Sequence, residues 1–324
     1  MKVLLKGFGS IGKRHTTNLL ALGISDVSII TSKTKLSEGF EHLNRYQTIE
    51  QALKNTAYTH GFICSPTAFH LEDLNSFMDA GIKNIYLEKP ISHKWNDLER
   101  VLDRMISEKV RIQVGFDLHF DPGIRKVKEI LDSGKMGKVY SVNAFVGQYL
   151  PDWRPLEDHR KGMSASIEKG GGVMLDLVHE FDYLRWLLGF PKKIGCFYQK
   201  NPELEIETED LADVLIQFEN GCNATIHLDY HQRKLIRFCI ITCENGTVKW
   251  DLAERTVSLV TAQNDLEKFD FSGFERNDRY LQIVDAFMNN PVDDRLTSFQ
   301  DGLISLKMVL ESKTSSINGT INTF

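Results

Sequence analysis

Three glycines, Gly7, Gly9 and Gly12, stand in the string Gly-Phe-Gly-Ser-Ile-Gly, directly after the apolar run Val3–Lys6 and at the start of a helical pattern. That order suits a phosphate-binding turn. The first glycine allows a tight bend, the second lets the main chain approach a pyrophosphate, and the third lets helix pack on strand. The amides of Ser10, Ile11 and Gly12 would open the helix and offer free N–H groups and a partial positive charge to the phosphates. The alternative is a tight strand-to-helix turn with no ligand.

A second group of residues suits proton transfer. Gly170-Gly171-Gly172 leads into Asp176, His179, Glu180 and Asp182. On one helix Asp176 and His179 are i and i+3 neighbours, as are His179 and Asp182. Histidine exchanges protons near neutral pH, and a nearby carboxylate can orient it. Structural alternatives exist for each: Asp176 as a polar group inside the helix, His179 as a satisfied core histidine, Asp182 as a partner of Arg185.

The elements that must position these groups fall into two textures. Up to about residue 119, short apolar runs alternate with helical patterns. Val3–Lys6, Val27–Thr31, Gly61–Cys64, Asn84–Leu87 and Arg111–Gly115 read as strands, with helices near Ile49–Leu53, Ala68–Ala80 and Trp95–Glu108 between them. Such alternation predicts a doubly wound parallel sheet of the α/β class. Beyond it come a helix near Gly123–Ser133, a long run Gly137–Tyr149, a helix from the glycine triplet to Gly189, then strands in succession from Lys193 to Thr261. Helices near Asp278–Met288 and Ser298–Ser312 close the chain. This predicts an α+β domain on a large, mostly antiparallel open sheet. The expected division is 1–119 and 120–324.

A second strand that ends in a carboxylate reads an unphosphorylated ribose hydroxyl. Here the chain runs Ile30-Thr31-Ser32-Lys33-Thr34-Lys35, without an acid. Hydroxyls and lysines, Ser32 and Lys33 first, suit a 2′-phosphate, which favours NADP over NAD; a solvated polar turn that holds NAD through backbone and Ser32 is the other reading. Ser65, Pro66 and Thr67 lie at the carboxyl end of a strand, on the rim where such sheets bind ligands. His70 opens the next helix and, like Ser65, Pro66 and Thr67, is a cofactor-contact candidate rather than a catalytic one.

Glu88-Lys89-Pro90 follows the strand Asn84–Leu87 and precedes a helix. Together with the glycine string, Ser65-Pro66-Thr67 with His70, and the Gly170–Asp182 block, it resembles the Gfo/Idh/MocA oxidoreductases over nearly the whole chain. The resemblance implies a Rossmann domain and an α+β domain whose open sheet joins copies into a homodimer or homotetramer. It implies an NAD- or NADP-dependent dehydrogenase or reductase acting on a hydroxyl or keto carbon of a sugar, inositol or nucleotide-sugar. Lys89 would hydrogen-bond the reacting hydroxyl, Glu88 would orient that lysine or the cofactor, and the bond before Pro90 would be cis. His179 would be the general base with Asp176 as partner or substrate ligand. Many relatives space those two four apart; here the gap is three, which leaves their roles interchangeable.

Gln148-Tyr149-Leu-Pro-Asp-Trp153-Arg154 leads into Asp158-His159-Arg160. Aromatic rings beside guanidinium groups grip sugars by stacking and forked hydrogen bonds, which makes Tyr149, Trp153, Arg154 and Arg160 substrate candidates; a packing loop or an oligomer contact is the alternative. The loop resembles a branch associated with surface-polysaccharide or sialic-acid-like sugars. His119 occupies a place where relatives often carry arginine, and is a further substrate candidate. Two other functions stay open: transient redox use of the cofactor in epimerisation or glycosidic elimination, and a cofactor-binding regulatory or scaffolding protein without turnover.

The 324 residues, 42% hydrophobic and 26% charged, supply two ordinary cores. A net charge of −5 gives no footprint for nucleic acid. No apolar stretch has the length of a membrane span and no signal peptide fits, so a cytoplasmic location is expected. Five cysteines without a CxxC pair read as buried thiols. No metal-ligand spacing stands out, and no metal is expected.

Overall fold

The computed structural model describes residues 1–54 and 56–324. In chain order the elements are β1 (Val3–Lys6), α1 (Ser10–Ala21), β2 (Val27–Ile30), β3 (Asn44–Tyr46), α2 (Ile49–Leu53), β4 (His60–Ile63), α3 (His70–Asp79), β5 (Asn84–Leu87), α4 (Leu98–Ser107) and β6 (Arg111–Val114). Then follow α5 (Pro122–Asp132), β7 (Val139–Gly147), α6 (Val173–Asp176), α7 (His179–Leu188), β8 (Pro191–Gln199), β9 (Leu211–Phe218), β10 (Asn223–Asp229), β11 (Ile236–Cys243) and β12 (Gly246–Asp251). The chain ends with β13 (Thr256–Thr261), β14 (Leu266–Asp270), α8 (Arg276–Asn289), β15 (Thr297–Ser298), α9 (Phe299–Asn318) and β16 (Asn322–Thr323).

The chain forms two compact units. One holds Met1–Asp117 and Arg276–Leu303 around a sheet of order β15-β6-β5-β4-β1-β2-β3. Its strands are parallel except β15, which runs antiparallel to β6. Helices cover both faces of such a sheet, so its central strands are apolar along their length rather than alternating. Val3, Leu4, Leu5, Phe62 and Ile63 are wholly buried. The strand order is that of a dinucleotide-binding sheet.

The other unit holds Leu118–Glu275 and Ile304–Phe324 on a sheet of order β14-β13-β12-β11-β7-β10-β9-β8-β16. The pairing is antiparallel except where β10 lies parallel to β7. Here the strands alternate. Ala212, Val214, Ile216 and Phe218 of β9 point into the core, while Asp213 and Leu215 point away from it.

Three sequence expectations need correction. The segment Arg276–Leu303 belongs with the first unit, not with 120–324. Its anchor is Phe287 of α8, whose ring packs on Phe62 and Tyr86 and whose carbonyl accepts from Arg111 at 2.8 Å. Second, β3 and β14 are polar edge strands that carry no apolar alternation and so escape a periodicity reading. Third, the helix expected from the glycine triplet to Gly189 is two helices. Leu177 leaves helical geometry at φ −101 and ψ 30. The Glu180 N–H then reaches the Leu177 carbonyl, three residues back rather than four. Asp176 therefore closes α6 and His179 opens α7.

Candidate functional site

In the first unit the candidate residues all follow carboxyl ends of neighbouring parallel strands. Gly7–Gly12 follows β1, Ser32 and Lys33 follow β2, Ser65–Thr67 follows β4, and Glu88-Lys89 follows β5. Parallel strands end on the same rim, so the topology alone gathers these turns. Gly7 has φ +96, and a Cβ there would stand 2.5 Å from the Cys64 carbonyl carbon. A Cβ on Gly12 would collide with the Gly7 carbonyl oxygen, whereas one on Gly9 would meet nothing within 4 Å. The turn is thus packed against its own sheet at two glycines and open above the middle one. That fits a dinucleotide pyrophosphate seated over Gly9, with the Ser10 and Ile11 amides at the N-terminus of α1.

The turns are tied to one another. His70, wholly buried, sets Nδ1 2.8 Å from the Pro90 carbonyl and Nε2 2.9 Å from the Ser65 carbonyl. It joins the turn after β4 to the turn after β5, and burial pushes its imidazole below the ordinary value against the pull of those two bonds. Ser65 Oγ donates to the buried Asp73 carboxylate at 2.5 Å, and Lys6 pairs with the same carboxylate. Pro66 caps the short turn that carries the buried Thr67. Glu88 is buried, with Oε1 2.6 Å from His15 Nε2 and Oε2 accepting from the Lys89 main-chain N–H at 3.3 Å. The Lys89–Pro90 bond is cis. At the end of β2, the Lys33 carbonyl accepts from Arg45 at 3.0 Å, which adds a second cation to that turn.

In the second unit Asp176 is buried and accepts from Tyr230 Oη at 2.6 Å. Burial and then the Asp176 charge push the Tyr230 phenol well above its ordinary value, so it stays a hydroxyl donor. Trp153 stands edge-on to Tyr230 with ring centres 5.3 Å apart, and its Nε1–H donates to the Gln148 carbonyl. The Tyr149 ring carries the Arg233 guanidinium at 3.7 Å. Arg154, more than half exposed, lies 3.7 Å from Glu157. Arg160 is engaged by Asp158 at 2.9 Å and Glu205 at 2.7 Å, and its hydrogen bond is the main cause that draws Asp158 down to about 2.

His179 is buried at the first position of α7. One turn on, Asp182 pairs with His119 at 2.8 Å and accepts from Ser305, a structural role like the one considered from sequence but with these partners. The His119 ring also stacks on Trp186 at 4.2 Å. Glu180 takes a forked pair of bonds from Arg237 at 2.8 and 2.9 Å, which commits it to packing. All five cysteines are buried, and burial holds their thiols up, Cys196 to about 12 and Cys222 and Cys243 to about 11.

Sequence reasoning missed His15 and Asp73. The signal for His15 was its place one turn past Gly12, on the face of α1 that must be buried, where a polar ring requires a partner. From sequence Tyr230, with His231 and Arg233, reads as a strand-end group that could reach the substrate; its bond to Asp176 spans 54 positions and has no local signature.

Two family models match the chain. One, described as an oxidoreductase family with an NAD-binding Rossmann fold, matches residues 1–116, and the other, the Gfo/Idh/MocA C-terminal domain, matches residues 124–249. An uncharacterized oxidoreductase of Bacillus subtilis is 29% identical over 68% of this chain, which spans 64% of that relative's length. The myo-inositol 2-dehydrogenase of Thermotoga maritima is 25% identical over 97% of this chain and 96% of its own. Among solved structures, the WlbA dehydrogenase of Bordetella pertussis, in complex with NADH and UDP-GlcNAcA, has a TM-score of 0.81 at 19% identity, over 100% of this chain and 98% of that one. Two matched domains in sequence and a shared fold across the whole length make this chain a member of the Gfo/Idh/MocA oxidoreductase family.

Proposed function

We propose that the protein is a nicotinamide-dependent dehydrogenase or reductase acting on a secondary hydroxyl or the matching keto group of a polyhydroxylated ring: a sugar, an inositol or a nucleotide-sugar. The observation that carries the reading is the rim of the parallel sheet, where a glycine turn open only above Gly9 shares an edge with Glu88-Lys89. A bound nicotinamide supplies the hydride acceptor or donor. Lys89 hydrogen-bonds the reacting oxygen and stabilises its developing negative charge. His179 takes the hydroxyl proton in oxidation and returns it in reduction, while Asp176, fixed by Tyr230, holds a neighbouring hydroxyl. Tyr149, Trp153, Arg154, Arg160 and His119 are the substrate-contact candidates. The names of two family relatives, an inositol dehydrogenase and a dehydrogenase crystallised with a UDP-sugar acid, support a ring of this class. The Gln148–Arg154 loop favours a sugar of surface-polysaccharide or sialic-acid-like type.

Lys33 with Arg45, and the lack of an acid at the end of β2, favour NADP. The test is reduction of NADP and NAD, followed by absorbance, across inositols, hexoses and UDP-sugars. Turnover with at least one ring alcohol is expected, with kcat/KM about tenfold higher with NADP. A tightly bound cofactor that no polyol ever reduces overturns the dehydrogenase reading and favours a binding role.

A second copy of this chain is the occupant best suited to the outer face of the nine-stranded sheet. Phe238, Phe145, His227, Asp213 and Phe197 form one row across β11, β7, β10, β9 and β8. The Phe145 ring stacks on both Phe238 and His227. The polar members are satisfied within the row, His227 by Asp213 at 2.7 Å and Asp229 at 3.0 Å. Aromatic rows of this kind are enriched at interfaces. Phe145→Asp is expected to convert a dimer or tetramer to monomer by light scattering; an unchanged mass removes the assignment.

A further inference from the structure

We propose that His15 is a positioning residue for this reaction, whose Nε2–H keeps Glu88 an ionised carboxylate aimed at the Lys89 main chain. Its kinetic consequences rest on the dehydrogenase reading; its electrostatic ones do not. His15 is wholly buried on α1, with its ring against Phe62, Tyr86 and Tyr280. Nε2 lies 2.6 Å from Glu88 Oε1. With Glu88 ionised its Oε1 only accepts, and Nε2 is then the atom that carries the proton. Nδ1 is buried and has no partner among the described residues. The ring therefore makes one directed bond, and it is spent on Glu88.

Glu88 has two donors among the described residues, His15 and the Lys89 amide. The other ionisable neighbours are committed elsewhere. His70 on α3 faces two carbonyls, and Asp117 is held by Arg279 of α8 at 2.5 Å. Tyr280, also on α8, lies under the Arg14 guanidinium. Burial, and then the Glu88 charge, push Cys64 just after β4 and Tyr86 on β5 far above their ordinary values, so neither shares the charge. At Gly115 the missing Cβ leaves the space that Oε1 uses, since a Cβ there would stand 3.1 Å away. One buried bond thus ties the helix that begins at the glycine turn to the turn that carries Lys89.

Without the Nε2–H, a nearly buried carboxylate keeps only a main-chain amide, and burial then raises its pKa. The working form is the carboxylate, so turnover survives above the raised value and is lost as pH falls through it. In His15→Phe the Glu88 protonation is expected to shift up by about one pH unit or more and to steepen the acid limb of kcat that His179 sets, with substrate KM changed less than kcat. His15→Gln, which restores an N–H, is expected to recover most of that shift. Infrared difference spectra of the protein without substrate, followed through the carboxyl titration range, are expected to show a carboxylic-acid C=O band in His15→Phe at a pH where the wild type is fully ionised. That band is absent from the wild type and from the His15→Phe/Glu88→Gln double variant. Absence of the band in His15→Phe, or an equal loss in His15→Gln, overturns the assignment. If the wild type turns over no polyol, the infrared result still decides the role of His15 while the dehydrogenase reading falls. Should His15→Phe not fold, nitrogen-15 spectra of histidine decide it: an exchange-protected proton on His15 Nε2 in the wild type that disappears in Glu88→Gln supports the bond, and its absence from the wild type refutes it.

Discussion

Replacement of Lys89 by alanine is expected to lower kcat/KM for the proposed ring alcohol by about a thousandfold, with the dissociation constant for the nicotinamide cofactor changed less than about threefold. The magnitude is that of removing one donor aimed at a developing oxyanion, about 3–4 kcal/mol. The split follows from the local structure. The pyrophosphate would be held in a cradle of Gly7, Gly9 and Gly12 with the amides that open α1, whereas Lys89 lies in the turn after β5. The turn after β5 is held by bonds that do not use the Lys89 side chain: Glu88 with His15, the Lys89 amide with Glu88, and His70 with the Pro90 carbonyl. Truncation of the half-buried side chain therefore leaves the turn in place. Fluorescence titration of the cofactor alongside steady-state assays measures both halves. A variant that loses cofactor affinity and turnover in proportion places Lys89 in the cradle and refutes its role at the reacting oxygen.

Much of the fold was legible because local and tertiary signals agree. The apolar strands of the parallel sheet are short, continuous and separated by helices, so Val3–Lys6 and Asn84–Leu87 stand out within one residue of their bounds. Strand succession after Gly189 was equally plain. Where the reading failed, tertiary structure overrode a local pattern. Asn44–Tyr46 and Leu266–Asp270 are strands only because a neighbour offers an edge. Arg276–Leu303 carries no mark of its unit; the burial of Phe287 among Phe62 and Tyr86 decides that. The i, i+3 spacing of Asp176 and His179 pointed to one helical face, yet Leu177 breaks the helix between them. Motif residues at strand ends were found because their spacing is local. The residues that hold them, His15, Asp73 and Tyr230, lie 73, 8 and 54 positions from their partners. Only the first two of those contacts lie within the parallel-sheet unit, and no periodicity connects any of the pairs.

Replacement of His179 by alanine is expected to lower kcat for alcohol oxidation by between about a hundredfold and ten-thousandfold, the range of a lost general base. The sign of its pH dependence is fixed by the role. An imidazole accepts a proton only when neutral, so wild-type oxidation falls as pH drops and the imidazole charges. In His179→Ala that limb vanishes, and the residual rate rises with hydroxide instead. The prediction separates His179 from Asp176, whose roles the sequence left interchangeable. Asp176 accepts the Tyr230 hydroxyl at 2.6 Å, and that phenol is held well above its ordinary range, so the carboxylate is fitted to hold a hydrogen bond rather than to shuttle a proton. Removal of its charge by Asp176→Asn is therefore expected to raise substrate KM and leave the acid limb in position. His179 stands at the first position of α7, and Asp182 one turn on pairs with His119 and accepts from Ser305. A pH profile that keeps its acid limb in His179→Ala and loses it in Asp176→Asn reverses the two assignments.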